Sequence, residues 1–156
     1  VDTDGTETLY VPIHLRVIFK EILRNAMAAT MWEASVRGVD PQPVQVKVHR
    51  GHFGVFVTIS DHGGGIADLA AQWKWGPPQE LRMDSMGDGN LSSIEDEDDD
   101  DADLNPLILP AGFGLPLARL TARYFGGDVR LQTLIGYGTN AYIHIPQLED
   151  QDTLHP

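Results

Sequence analysis

Glu21 and Asn25 stand four residues apart in a stretch that reads as helix, so their side chains share one face. An asparagine amide oxygen is a hard ligand suited to Mg²⁺, which keeps its waters and takes few protein ligands. A carboxylate one turn earlier could orient or deprotonate a nucleophile beside such a metal. Further along, Asp61-His62-Gly63-Gly64-Gly65-Ile66 comes straight off an apolar run. A carboxylate at a strand end can accept a hydrogen bond from an exocyclic amine, and glycines let backbone approach a ligand closely. Gly112-Phe113-Gly114-Leu115-Pro116 opens a later helix, where free N–H groups and the helix dipole attract phosphate. Gly136-Tyr137-Gly138-Thr139 follows. Taken singly, each piece also has an ordinary structural reading: a solvated helix edge, a tight turn, a helix entry with proline near its first position, a hairpin turn.

The elements that must position these groups are legible from periodicity. From Pro12 to about Ala34 apolar residues recur at helical spacing, with Leu15, Phe19, Ile22, Leu23, Ala26 and Thr30 in one stripe and His14, Ile18, Glu21, Asn25 and Ala28 beside it. Gly38, Pro41 and Pro43 end that helix. Val44–His49 alternates and Val55–Ser60 is apolar and β-branched, which predicts an antiparallel hairpin turning at Gly51–Gly54. Residues 67–110 read as a long loop, and residues 95–103 within it are a low-complexity acidic insertion. Leu115–Phe125 reads as a second helix, and Asp128–Leu134 and Ala141–Ile145 as two more strands. Neighbouring paired strands with segregated helices predict an α+β chain, a two-layer α/β sandwich, rather than a doubly wound sheet.

Composition bounds the alternatives. The 156 residues fit one domain, and 42% hydrophobic content is enough for a core. No apolar run is long enough to span a membrane. With no cysteine, disulfides and thiolate metal sites are excluded, and the six histidines show no metal-ligand spacing on a predicted helix. Net charge is −12, but residues 95–103 hold eight of the 23 acidic residues. The remainder is mildly acidic, which argues against nucleic-acid binding through a basic surface. The first residue is Val1, which suggests an excised fragment.

Order and spacing together carry more than any piece. Glu-x₃-Asn on a helix, Asp-x-Gly-x-Gly after a strand, a long loop, Gly-x-Gly at a helix start and Gly-Thr between strands resemble the GHKL ATPase superfamily. The stretches VPIHLRVIFKEILRNAMAAT, ISDHGGGI, GFGLP and ARYFGGDVRLQTLIGYGTNAYI resemble its mitochondrial dehydrogenase kinase branch, the pyruvate and branched-chain 2-oxo-acid dehydrogenase kinases. The resemblance covers residues 9–146 apart from the lid.

That resemblance implies a Bergerat-type domain spanning 1–156, with a mixed, mostly antiparallel sheet covered by helices on one face and an ATP lid over about 67–111. It implies Mg²⁺ on Asn25, adenine read by Asp61, and a base pocket shaped by Gly63, Gly65 and Ile66. Gly112, Phe113, Gly114 and Leu115 would belong to the lid end that wraps the phosphates, Thr139 would help fix adenine, and Glu21 would be the general base. The implied activity is ATP-dependent phosphorylation of a serine on the E1 alpha subunit of a 2-oxo-acid dehydrogenase complex in the mitochondrial matrix, which inactivates it. Pyruvate dehydrogenase is the first expectation and the branched-chain enzyme the second. A lipoyl domain of the E2 core would be met through an N-terminal regulatory helical domain absent from this chain, and a homodimer is a further candidate assembly. Val17, Ala28, His62 and Asn140 depart from commoner family residues, with Ala28 and His62 standing where cations are usual. The losses at Ala28 and His62 keep open a catalytically weak ATP-binding scaffold, and a histidine-kinase-type catalytic domain is a further alternative, which a phosphohistidine-accepting helical hairpin before residue 1 would favour.

Overall fold

The computed structural model describes residues 10–76 and 112–147. The acidic insertion, most of the expected lid and both chain ends lie outside the described residues. Helix α1 spans Pro12–Arg37, with Pro12 in its first turn, where a missing N–H costs nothing. It runs one turn beyond the expected end at Ala34. Glu33 and Arg37 form an i,i+4 ion pair at 2.5 Å, and the helix closes at Gly38 through bonds from the Gly38 and Val39 amides to Ser35 and Ala34.

Strands β1 (Gln45–Gly51) and β2 (Gly54–Ser60) form the expected antiparallel hairpin. A three-residue 3₁₀ turn, Ala71–Trp73, follows inside the segment expected to be loop. Asp68 starts it by accepting bonds from the Ala70 and Ala71 amides at 3.0 and 3.1 Å, a local side-chain bond that competes well with extended backbone. Helix α2 (Gly114–Tyr124) precedes β3 (Asp128–Leu134) and β4 (Gly138–Pro146). The sheet order is β1-β2-β4-β3, and all three described pairings are antiparallel. This is an open α+β sandwich, as the strand and helix order predicts.

The inward side chains of the strands alternate as a half-buried sheet requires. Val55, Val57 and Ile59 of β2 and Ala141, Ile143 and Ile145 of β4 are buried, and they pack with Ile18, Ile22 and Ala26 of α1 and Ala118 and Ala122 of α2. Each fully buried isoleucine contributes about 1.5–3 kcal/mol relative to exposure. The helices run antiparallel on that face. Tyr10 and His14, at the start of α1, pack on Phe125 just past the end of α2, with ring centroids 5.4 and 4.5 Å apart, while Glu21 meets Gly114 at the start of α2. A clamp fastens α2 to β3: Arg119, Arg123 and Arg130 all bond the Asp128 carboxylate at 2.9–3.2 Å, and Arg119 also lies 4.3 Å over the Trp73 ring. Partial burial alone would raise the Asp128 carboxyl; the three arginine bonds and the Arg119 charge outweigh it and hold the group well below the usual carboxylate range.

β4 begins three residues earlier than its apolar run predicts. Gly138, Thr139 and Asn140 pair with Leu134, Thr133 and Gln132 of β3, and Asn140 also pairs with Ser60 of β2. Cross-strand partners, invisible to local periodicity, make Thr139 a strand residue rather than a turn residue.

Candidate functional site

The chain folds so that the middle of α1, the outgoing end of β2, the first residues of β4 and the start of α2 border one cleft of about 360 Å³. Asn25 lies on its rim and is exposed, as a ligand-facing amide should be. Asp61, Gly63, Gly65, Ile66, Gly112, Gly114, Leu115 and Thr139 line it as well. The floor is apolar: Ile22 and Ala26 from α1, Ile59 from β2, Leu131 from β3 and Ala141 from β4. An apolar floor with a few convergent polar groups is the usual make-up of a site for a flat organic ligand.

Asp61 is held rigidly. Its amide bonds the Thr139 carbonyl at 2.9 Å, extending the β2–β4 ladder by one pair. Its Oδ1 accepts the Gly63 amide at 2.9 Å and the Thr139 amide at 3.1 Å. Among the described residues Oδ2 has no bonding partner, so one carboxylate oxygen is anchored and the other is available to an amine in the cleft. The glycine turn is pinned from the other side. The Ile66 amide donates to Thr133 Oγ1 at 2.7 Å, and the Gly136 amide donates to the Gly64 carbonyl at 2.8 Å. Gly65 has φ 85°, and a Cβ there would stand 2.6 Å from the Leu134 carbonyl oxygen and 2.9 Å from Thr133 Oγ1. Both backbone handedness and space require glycine.

At the opposite end, α2 starts with no side-chain cap on its first turn. The amides of Gly114 and Leu115 have no intrahelical carbonyl, and Pro116 has no amide to offer, so the helix presents a compact, partly positive N-terminus to the cleft. Among the described lining residues the one ionisable acid or base is Asp61. An anion at this end would be met by amides, dipole and any bound cation. Among the described residues no group of three or more His, Asp or Glu could hold a metal by itself. A lone carboxamide such as Asn25 instead fits a cation that keeps water and phosphate oxygens, as Mg²⁺ does.

Two expected site residues stand apart from the lining. Glu21 is 5% exposed, one turn before Asn25, with its carboxylate packed under Gly114; a Cβ on Gly114 would collide with Glu21 Oε2. Phe113 does not wall the cleft: it occupies the position before α2, its carbonyl accepts the Leu117 amide at 3.0 Å, and its ring faces Trp75 at 6.1 Å. Sequence reasoning passed over Thr133, whose hydroxyl touches both the glycine turn and Thr139. Its signal was present in the alternation of β3, which puts a polar Thr133 on the same face as Val129 and Leu131. The apolar floor was read as core, which it also is.

Residues 10–149 match the family described as histidine kinase-, DNA gyrase B-, and HSP90-like ATPase. The chain belongs to this family. Membership of an ATPase family makes ATP the expected nucleotide of the cleft. The chain is 37% identical over 149 residues to the mitochondrial [pyruvate dehydrogenase (acetyl-transferring)] kinase of Schizosaccharomyces pombe, a match covering 91% of the chain and 32% of that protein. It is 35% identical over 142 residues to the mitochondrial kinase of the same name from Arabidopsis thaliana, covering 90% of the chain and 37% of that protein. With the human isozyme 1 of that kinase the identity is 35% over 146 residues, covering 91% and 29%. The chain therefore spans about a third of the length of these curated relatives. Among the described residues no helix is long and apolar enough to cross a membrane.

Proposed function

We propose that this chain is the ATP-binding catalytic domain of a mitochondrial protein serine kinase, acting in the matrix on the E1 alpha subunit of the pyruvate dehydrogenase complex. The carrying observation is the convergence of Asn25, Asp61, Thr139 and the first turn of α2 on one cleft, in a chain about 90% covered by alignments to kinases of that name. The branched-chain complex is the second candidate acceptor, and a lipoyl domain of the E2 core and a second copy of the chain are candidate partners of the whole protein.

In this reading, Asp61 Oδ2 accepts a hydrogen bond from the adenine amine, and the apolar floor of Ile22, Ile59, Leu131 and Ala141 stacks under the base. Asn25 offers its amide oxygen as the protein ligand to Mg²⁺. The first amides of α2 orient the phosphates. Bound Mg·ATP supplies the transferable phosphoryl group and neutralises its charge. Glu21 accepts the serine proton at its carboxylate. Because Glu21 lies beneath Gly114, this role requires the start of α2 to shift when both substrates are present.

The burial of Glu21 also favours a second reading, a nucleotide-binding scaffold that transfers little. A phosphotransfer assay of the full-length protein with purified E1 separates the two. The kinase reading predicts transfer by wild type, a loss of at least about 100-fold in kcat for Glu21→Gln, and unchanged ATP affinity. ATP binding with no transfer by wild type establishes the scaffold.

A further inference from the structure

Thr133 carries one hydroxyl and three neighbours. It accepts from the Ile66 amide at 2.7 Å, reaches the Gly138 carbonyl oxygen at 3.4 Å, and lies 3.3 Å from Thr139 Oγ1. A hydroxyl has one proton to give, and a carbonyl can only accept. If the Thr133 proton goes to Gly138, the Thr139 hydroxyl must donate to Thr133. The Thr139 proton is then committed away from the cleft, and Thr139 offers the ligand an acceptor only. Asp61 Oδ2, on the same wall, is also an acceptor. Two acceptors on one wall suit an exocyclic amine and oppose a carbonyl oxygen at the same ring position, and a site of buried polar groups rejects a mismatched partner strongly.

We infer that Thr133 is a positioning residue of this cleft: it ties the Gly63–Ile66 turn to the β3–β4 hairpin and sets the Thr139 hydroxyl as an acceptor, so that the base pocket selects adenine over guanine. The inference rests on the nucleotide reading of the site and deepens it. It also explains why position 65 is glycine, since Thr133 Oγ1 occupies part of the space a side chain would need.

The test is calorimetric titration of the full-length protein, as wild type, Thr133→Val and Thr133→Ser, with Mg·ATP and Mg·GTP, alongside thermal melts without nucleotide. Valine keeps the shape and removes the hydroxyl; serine restores it. The expected result is about a tenfold fall in the ATP-to-GTP affinity ratio for Thr133→Val, with the wild-type ratio recovered in Thr133→Ser. Faster hydrogen exchange at the Ile66 amide of Thr133→Val, without ligand, is the expected companion. A folded Thr133→Val whose ATP and GTP affinities fall together, or do not change, overturns the inference while leaving ATP binding intact. Wild type that binds neither nucleotide overturns the functional reading, and this inference with it.

Discussion

Asp61→Asn is the sharpest chemical perturbation of the cleft, because the two oxygens of that carboxylate do different jobs. Oδ1 holds the Gly63 and Thr139 amides at 2.9 and 3.1 Å, and in the proposed function Oδ2 accepts from the adenine amine. Asparagine keeps an oxygen where the two amides need one, which forces its –NH₂ into the Oδ2 position. The fold loses little, since two hydrogen bonds remain and only their charge assistance goes. The ligand loses an anionic acceptor and meets a donor opposite its own amine. A hydrogen bond to a charged acceptor contributes about 1.5–3 kcal/mol, so ATP affinity should fall about 10- to 100-fold. Asp61→Ala should lose ATP binding too, but it also strips both amides of their acceptor, at about 1 kcal/mol or more each. The assay is calorimetric titration with Mg·ATP beside a thermal melt of each variant. The expected pattern is weak binding in both variants and a clearly lowered melting temperature in Asp61→Ala alone. Asp61→Asn that binds ATP within twofold of wild type would refute the division of labour between the two oxygens.

Other expectations follow from the same geometry. Asn25→Ala removes an exposed amide at the cleft rim, so Mg²⁺-dependent ATP binding should fall at least about tenfold with the melting temperature unchanged; calorimetry with and without Mg²⁺ reads this. Gly65→Ala meets a left-handed φ of 85° and a Cβ only 2.6 Å from the Leu134 carbonyl oxygen, and should cost about 2–4 kcal/mol in denaturant unfolding. Asp128→Asn should cost about 1–2 kcal/mol at neutral pH by loosening the three-arginine clamp. Because the folded Asp128 carboxyl lies below its ordinary value of 3.8, its contribution is fully present above that value and is lost as pH falls through the folded one. The stability gap between wild type and Asp128→Asn should therefore stay flat from pH 7 to about 5 and narrow below about 4, read by chemical unfolding across pH.

What could be read from the sequence was what local pattern determines. The α1 stripe, both hairpins, the glycine turn after Asp61 and the glycine pair opening α2 follow from periodicity and backbone chemistry, and the structure has them within a few residues. The Glu21 and Asn25 spacing likewise survives as neighbouring positions on one helix. What escaped depends on who lies across from whom. The β3–β4 pairing converts Thr139 from a turn residue into a strand residue, and the adjoining β2–β4 ladder brings it to Asp61. Thr133 matters only because the 63–66 turn folds back over the hairpin. Ile22, Ile59 and Leu131 carry no mark that distinguishes a cleft floor from core, since both demand the same side chains. Phe113, placed by the resemblance at the lid end that wraps the phosphates, is not among the described lining residues of the cleft, and its ring centroid lies 6.1 Å from that of Trp75. The clamp on Asp128 needed three arginines from two elements to converge, which no spacing rule announces.

In the proposed function, one adenine nucleotide bridges the Asp61–Thr139 wall and the start of α2 across the Asn25 rim. Amide chemical-shift mapping with a non-hydrolysable Mg·ATP analogue tests it most directly. Saturable shifts are expected at Gly63, Gly65 and Thr139, at Asn25, and at Gly112 and Gly114, with β1 and the outer face of the sheet unaffected. Saturable shifts confined to surfaces outside the cleft, or no shifts at millimolar analogue, would contradict it.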